Sequence, residues 1–288
     1  MPSLQVTVEK TSLRGVVTQP DRPSGRGQKL QPSPAKAAAA QYDLPIFEPL
    51  ALKRFAADQT GEAYDLFIVA SYGRILPPEL LGIPQLGSLN VHPSLLPRYR
   101  GATPIQAALR NGDAQTGVSI MLMDSGMDTG PLVLQEPVEI SPQDDCGALH
   151  DRLAKIGARL LAHAIDLAAE NNLGPYAQSG EPSVTRPLSK EDLDVDWAQP
   201  ALKIVNMVRA LSPEPAARTE ILGVRLKLLR AKTGSLGSTA NPGTVVESDR
   251  ALLIACGEGA MELEEVIPES RGKMTGRQFK QWLNARQK

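Results

Sequence analysis

Residues 171–187, rich in Gly, Pro, Ser and Asn, separate two stretches of different texture and read as a linker. Before them, short apolar runs alternate with helical spacing. The run Asp65-Leu66-Phe67-Ile68-Val69-Ala70 is continuously apolar after its first residue and is stopped by Ser71-Tyr72-Gly73, the mark of a strand buried on both faces. Further strands are predicted at 13–18, 87–91, 118–123 and 132–140, and helices at 35–42 and, with Asp144 or Asp145 as its cap, over 149–167. Residues 19–34, dense in Pro, Gly, Arg and Lys, read as a long loop. Such alternation predicts an α/β fold with a parallel-type sheet. After the linker a helix at 200–210 precedes five short strands, at 218–221, 225–229, 243–247, 252–256 and 261–266, and a terminal helix at 275–286. That order suggests a small β-barrel as a second domain.

A chain of 288 residues is long enough for two such domains. Its 31 Lys and Arg against 32 Asp and Glu argue against a surface coated in positive charge, though not against a local basic patch. No apolar run approaches the roughly 20 residues of a membrane span, so no membrane partner is expected. Cys146 and Cys256 lie far apart with no metal-ligand spacing around them, and no metal is expected. Nothing at the N-terminus looks like a signal peptide; a cytoplasmic monomer is the expectation.

Chemistry concentrates at the end of one strand. In Ser88-Leu89-Asn90-Val91-His92, the period of two puts Asn90 and His92 on one face. Ligands of α/β sheets collect beyond the carboxyl ends of strands. A carboxamide and an imidazole beside a loop stiffened by Pro93 and Pro97 can meet the negative charge of a tetrahedral intermediate. An acidic partner would hold the imidazole in its charged, donating form, and Asp128 of Met127-Asp128-Thr129-Gly130 is the best placed. Taken singly, each residue has a plainer use: histidines at strand ends are more often structural, and an Asn before a turn is commonly a cap.

Taken together they are more specific. Asn90-Val91-His92-Pro93-Ser94-Leu95-Leu96-Pro97-Arg98-Tyr99-Arg100-Gly101, followed by Asp128-Thr129-Gly130 after an apolar strand, closely resembles the 10-formyltetrahydrofolate-dependent formyltransferases. The resemblance implies a Rossmann-like catalytic domain over 1–172, a linker over 173–191 and an OB-like β-barrel over 192–288. It implies that Asn90 and His92 face the formyl oxygen, that Asp128 supports His92 and assists proton transfer, and that 10-formyltetrahydrofolate is the co-substrate. Tyr72, Gly73, Ile75 and Leu76 match the family's loop beside the pterin. Ser94, Leu95, Leu96 and Pro97 match its folate-contacting segment.

The rest of the chain is similar to the branch whose acceptor is methionine esterified to initiator tRNA. The loop carrying Arg22, Arg26 and Lys29 resembles that branch's insertion toward the acceptor end of tRNA, and Leu188-Ser189-Lys190-Glu191 with Asp194-Val195-Asp196-Trp197 resembles the join to its barrel. Arg98, Arg100, Arg225, Lys227, Arg271 and Lys273 are the further expected tRNA contacts, suited to phosphates rather than base edges. The charge pattern is equally that of a solvated basic face. Rivals are a formyltransferase for a small amine such as an amino sugar nucleotide, a formyltetrahydrofolate hydrolase, and an RNA-binding remnant without catalysis.

One departure stands out. The family opens with a strand and a Gly-Thr-Pro-type turn, whereas Met1-Pro2-Ser3-Leu4 matches the helix that follows them. The expectation is a missing first strand, and two readings stay open: a start assigned too late, or a strand formed by the alternating Gln5-Val6-Thr7-Val8-Glu9 in the vacant place.

Overall fold

The computed structural model describes residues 1–24, 29–234, 240–246 and 251–286; side chains of residues 22–24 and of Lys29 lie outside that description. Two compact units form, each from separated segments. One comprises Met1–Ala102, Gly117–Val138 and Asp151–Val184; the other comprises Thr103–Thr116, Glu139–His150 and Thr185–Lys288.

In the first unit, the helix Pro2–Lys10 begins with a proline at its first turn, where the missing N–H costs nothing. Alternation at 5–9 therefore does not make a strand. The hydroxyls of Thr7 and Thr11 bond back to Ser3 O and Thr7 O at 2.8 and 2.7 Å, and Lys10 Nζ reaches Asp166 at 2.7 Å.

The main sheet has four strands in the order Phe67–Val69, Ser88–His92, Gln115–Leu122, Leu132–Glu139. Its first pair is parallel, with Val69 opposite Asn90. The second is antiparallel, with His92 opposite Ser119. Parallel character thus holds at one side of the sheet and reverses at the next strand; a short apolar run carries no mark of its direction. A separate parallel pair joins Val16–Val17 to Ile46–Phe47, and within residues 19–34, which the sequence reads as a loop, Arg22–Ser24 pairs antiparallel with Lys29–Gln31.

The long helix Cys146–Ala169 is capped by Asp145, whose Oδ1 accepts from Ala148 N at 2.8 Å. Asp144 instead accepts from Ser141 N at 2.7 Å. Leu153, Leu160, Leu161 and Ile165 are buried, as their spacing requires. At Gly157 an added Cβ would lie 2.8 Å from Val91 Cγ1, so this glycine lets the helix seat directly on the strand. Val91 faces the helix; Asn90 and His92, one residue either side, face away from it.

The second unit holds a six-stranded antiparallel sheet. Ala217–Ile221, Val224–Gly234, Ala260–Pro268, Leu253–Ala255 and Val245–Val246 follow in that order, and Met274–Thr275 adds to Ala260–Pro268. Register shifts between Leu228 and Ala231 let the long strand bend, as a half-barrel needs. Ala201–Leu211 and Gly276–Arg286 close the core with Ile204, Val208, Leu211, Phe279 and Leu283 on Leu228 and Val266. Thr275 and Gln278 form a reciprocal cap at the last helix, with bonds of 2.9 and 3.2 Å. Among the described residues no helix is long and apolar enough to cross a membrane.

Candidate active site

The strand Ser88–His92 delivers Asn90 and His92 to one end of the first unit's sheet. His92 is 4% exposed. Its Nε2 lies 2.9 Å from Tyr99 O, and a carbonyl can only accept, so Nε2 carries the hydrogen. Nδ1 then faces Asp128 Oδ2 at 3.6 Å. Burial pushes the imidazole below its ordinary 6.5, against the upward pull of the Asp128 carboxylate and the Tyr99 carbonyl. Desolvation thus works against the charged imidazole that the sequence leads one to expect, and the Asp128 carboxylate works for it.

Asp128 sits in a turn with φ +53°. Its Oδ2 accepts from Gly101 N at 2.7 Å, and Asn90 Nδ2 approaches Oδ1 at 3.5 Å. Asp124 secures the start of the turn through Gly126 N and Thr129 Oγ1 at 3.0 and 2.7 Å. Asn90, His92 and Asp128 are thus brought together at one end of the sheet.

The loop 93–101 is built inward. Ser119 Oγ donates to Ser94 O at 2.7 Å and accepts from Leu96 N at 3.2 Å and Gln135 Nε2 at 2.9 Å. Ser94 Oγ donates to Arg98 O at 2.6 Å, and the side chains of Ser94, Leu96 and Pro97 are buried. Leu96 packs on Met121 and Leu132. Leu95 lies against Gly117, where an added Cβ would meet it at 2.4 Å. A ligand beside this segment meets its backbone rather than those side chains. Met123 packs against the cluster that holds Leu96 and also against the one bordered by Val69 and Tyr72, so one side chain links the two loops expected beside folate. Leu76 is buried there, Ile75 is 81% exposed, and Gly73 has φ +72°. Tyr72 Oη is buried without a hydrogen-bond partner. Burial raises its phenol above the usual value, with Arg74 pulling the other way. The exposed Ile75 and the Arg74 guanidinium stand beside it, so this loop offers an apolar face and polar edges together.

Among the expected tRNA contacts, Arg26 lies outside the described residues, as do the side chains of Arg22 and Lys29. Arg98 is exposed and stacks over the Tyr99 ring at 5.0 Å. Arg100 turns inward onto Gln178 Oε1 at 3.2 and 2.7 Å. In the second unit Arg225, Lys227 and Lys273 each face a carboxylate, Glu220, Glu214 and Glu265, at 3.8, 3.3 and 3.1 Å. Such exposed pairs are weak and exchange readily for phosphate. Arg271 lies over Trp282 at 4.8 Å.

Sequence reasoning missed Tyr176, Gln178 and Ser183. Tyr176 exchanges backbone bonds with Leu132 at 2.8 and 2.9 Å. Ser183 takes Tyr99 N on its Oγ at 2.8 Å and Arg100 N on its carbonyl at 2.9 Å. Among the described residues no group of three His, Cys, Asp or Glu is placed to hold a metal ion.

The chain belongs to the formyl transferase family: the model for formyl transferase matches residues 4–165, and that for the formyl transferase C-terminal domain matches residues 187–284. Within it, the chain is 43% identical over 256 residues to a methionyl-tRNA formyltransferase of Stutzerimonas stutzeri, spanning 88% of this chain and 81% of that one. It is 40% identical over 284 residues to another from Pelotomaculum thermopropionicum, spanning 97% and 91%. A solved N-formyltransferase from Helicobacter canadensis, in complex with folinic acid and dTDP-3-aminofucose, shares the fold at a TM-score of 0.64, 19% identity and coverage of 91% and 93%.

Proposed function

We propose that this protein transfers the formyl group of 10-formyltetrahydrofolate to the α-amino group of methionine on initiator tRNA, as a cytoplasmic monomer. The observation that carries formyl transfer is the grouping of Asn90, His92 and Asp128 around one buried imidazole. Relatives named methionyl-tRNA formyltransferase, matched over 81% and 91% of their length, favour this acceptor over an amino sugar nucleotide or water. Catalysis is assigned to 1–172 and tRNA contact to 192–288, joined through 173–191.

The neutral amine attacks the formyl carbon, and charge develops on the formyl oxygen. Asn90 Nδ2 donates to that oxygen. The proton given up by the attacking nitrogen is taken up at His92 Nδ1, and Asp128, 3.6 Å away, stabilises the imidazolium so formed, whose N–H joins Asn90 as a donor to the formyl oxygen. The carbon–N10 bond then breaks as the carbonyl re-forms and that proton passes on to N10, assisted by Asp128, leaving His92 neutral. Tyr72 and the backbone of residues 94–97 hold the folate rings. The co-substrate supplies the activated formyl group; the side chains place it and move the protons.

Mixing the protein with 10-formyltetrahydrofolate and methionyl initiator tRNA should give formyl-methionyl-tRNA. Folded protein that instead formylates an amino sugar nucleotide, releases formate without an acceptor, or transfers nothing would overturn the proposal.

A further inference from the structure

From 174 to 184 the chain is exposed at every residue except Gln178 and Ser183. Gln178 has its carboxamide fully engaged. Nε2 donates to Asp128 O at 2.9 Å and to Gly130 O at 2.8 Å, while Oε1 accepts from Arg100 Nε at 3.2 Å and Arg100 Nη2 at 2.7 Å. Two donors and two lone pairs are the whole capacity of such a group. Turned over, it would set an oxygen against two carbonyls and an NH2 against a guanidinium, so its orientation is fixed.

These bonds close a circuit. Gln178 grips the side chain of Arg100; the next N–H, of Gly101, binds Asp128 Oδ2 at 2.7 Å; and the carbonyl of Asp128 returns to Gln178. Asp128 holds φ +53°, a conformation that costs a non-glycine residue free energy and persists where neighbours enforce it. Without the two N–H donors of Gln178, the carbonyls of Asp128 and Gly130 lose the partner that sets this turn. The carboxylate would then be free to leave His92.

We propose that Gln178 is a positioning residue for formyl transfer, holding the Asp128 turn and Arg100 in one register so that the Asp128 carboxylate stays on His92 and Gly101. Its polar atoms are saturated by protein, so it acts through Asp128 and touches no substrate. Arg100, read from sequence as a tRNA contact, is here the anchor of that clamp.

The inference rests on the formyl-transfer reading, and two measurements on the full chain keep their failures apart. Gln178→Glu keeps the shape and the Arg100 pair but removes both donors; Gln178→Met removes both ends. In each, kcat should fall by about 10- to 100-fold, the loss expected of a reacting group displaced by a fraction of an ångström to one ångström. KM for folate and for tRNA should stay within about threefold. Nuclear magnetic resonance titration of the three histidines, with His92 assigned through His92→Gln, supplies the second readout. Asp128 is the charge that pulls the His92 midpoint up, so in Gln178→Met that midpoint should fall. A parent-like midpoint, a parent-like kcat, or a loss confined to the KM for tRNA overturns the proposal. If the parent protein transfers no formyl group, the functional reading fails, and the titration still decides whether Gln178 holds Asp128.

Discussion

Replacing Asp128 with Asn isolates the charge in the proposed active centre while keeping its shape. The Asn oxygen can still accept from Gly101 N, which Asp128 Oδ2 now meets at 2.7 Å. What disappears is a negative charge 3.6 Å from His92 Nδ1, at a carboxylate whose side chain is 16% exposed. At that separation Coulomb's law gives about 5 kcal/mol for an effective dielectric of about 20 and about 1 kcal/mol in bulk water. The partly screened site falls between, at about 2–4 kcal/mol, and at about 1.4 kcal/mol per decade formyl transfer should slow by about 30- to 1000-fold. Single-turnover formation of formyl-methionyl-tRNA under saturating folate measures this without interference from product release. Direction is as telling as size. A carboxylate favours the protonated imidazole, so its loss must lower the His92 midpoint, already below 6.5 through burial. Because the folded imidazole binds a proton less readily than the unfolded one, the folded protein should lose stability as pH falls from 6.5 through the folded midpoint, and Asp128→Asn should widen that loss. A midpoint that stays or rises, with a rate within about fivefold of the parent, would refute the electrostatic role.

Gly130→Ala tests the turn itself. Its Cβ would stand 1.9 Å from Leu122 O and 3.0 Å from Leu122 C, backbone atoms that cannot swing aside. A cost of about 3 kcal/mol should lower Tm by about 6–12 °C by calorimetry, and a change under about 2 °C would show that the turn relaxes. Burial, with the Asp145 carboxylate beside it, pushes the Cys146 thiol up to about 11, leaving about one thiolate in a thousand at pH 8. Iodoacetamide at pH 8 should leave Cys146 intact in native protein and modify it in urea. Equal rates by mass spectrometry would contradict that burial.

Local pattern carried far in this chain. The alternation of Ser88–His92 already paired Asn90 with His92, and the spacing of Leu149, Leu153, Leu160, Leu161 and Ile165 marked the long helix to within a few residues. Direction was not legible: the strand Gln115–Leu122 reads alike either way, and it runs antiparallel to its neighbour. Charge state was not legible either, since a histidine's formal partner is visible in sequence and its desolvation is not. Gln178 and Ser183 escaped because a polar residue in a Gly- and Pro-rich stretch has no period to betray it; their role comes from residues 48 to 84 positions away. For the same reason Arg100 looked like a surface cation. Its sequence neighbours promise exposure, and a distant carboxamide withdraws it.

The strand Ser88–His92 also sets what kinds of change this chain can absorb. Val91 is seated on Gly157, and ladders on both sides fix Asn90 opposite Val69 and His92 opposite Ser119. One residue gained or lost within 88–92 would exchange odd positions for even, sending Asn90 and His92 toward the helix and Val91 toward Asp128. Length there is a digital quantity, intolerant of single steps. At 179–182, by contrast, every side chain is exposed, and an added residue costs little more than the entropy of a longer loop. Over time, substitutions can accumulate in both places, but insertions and deletions should be confined to the second.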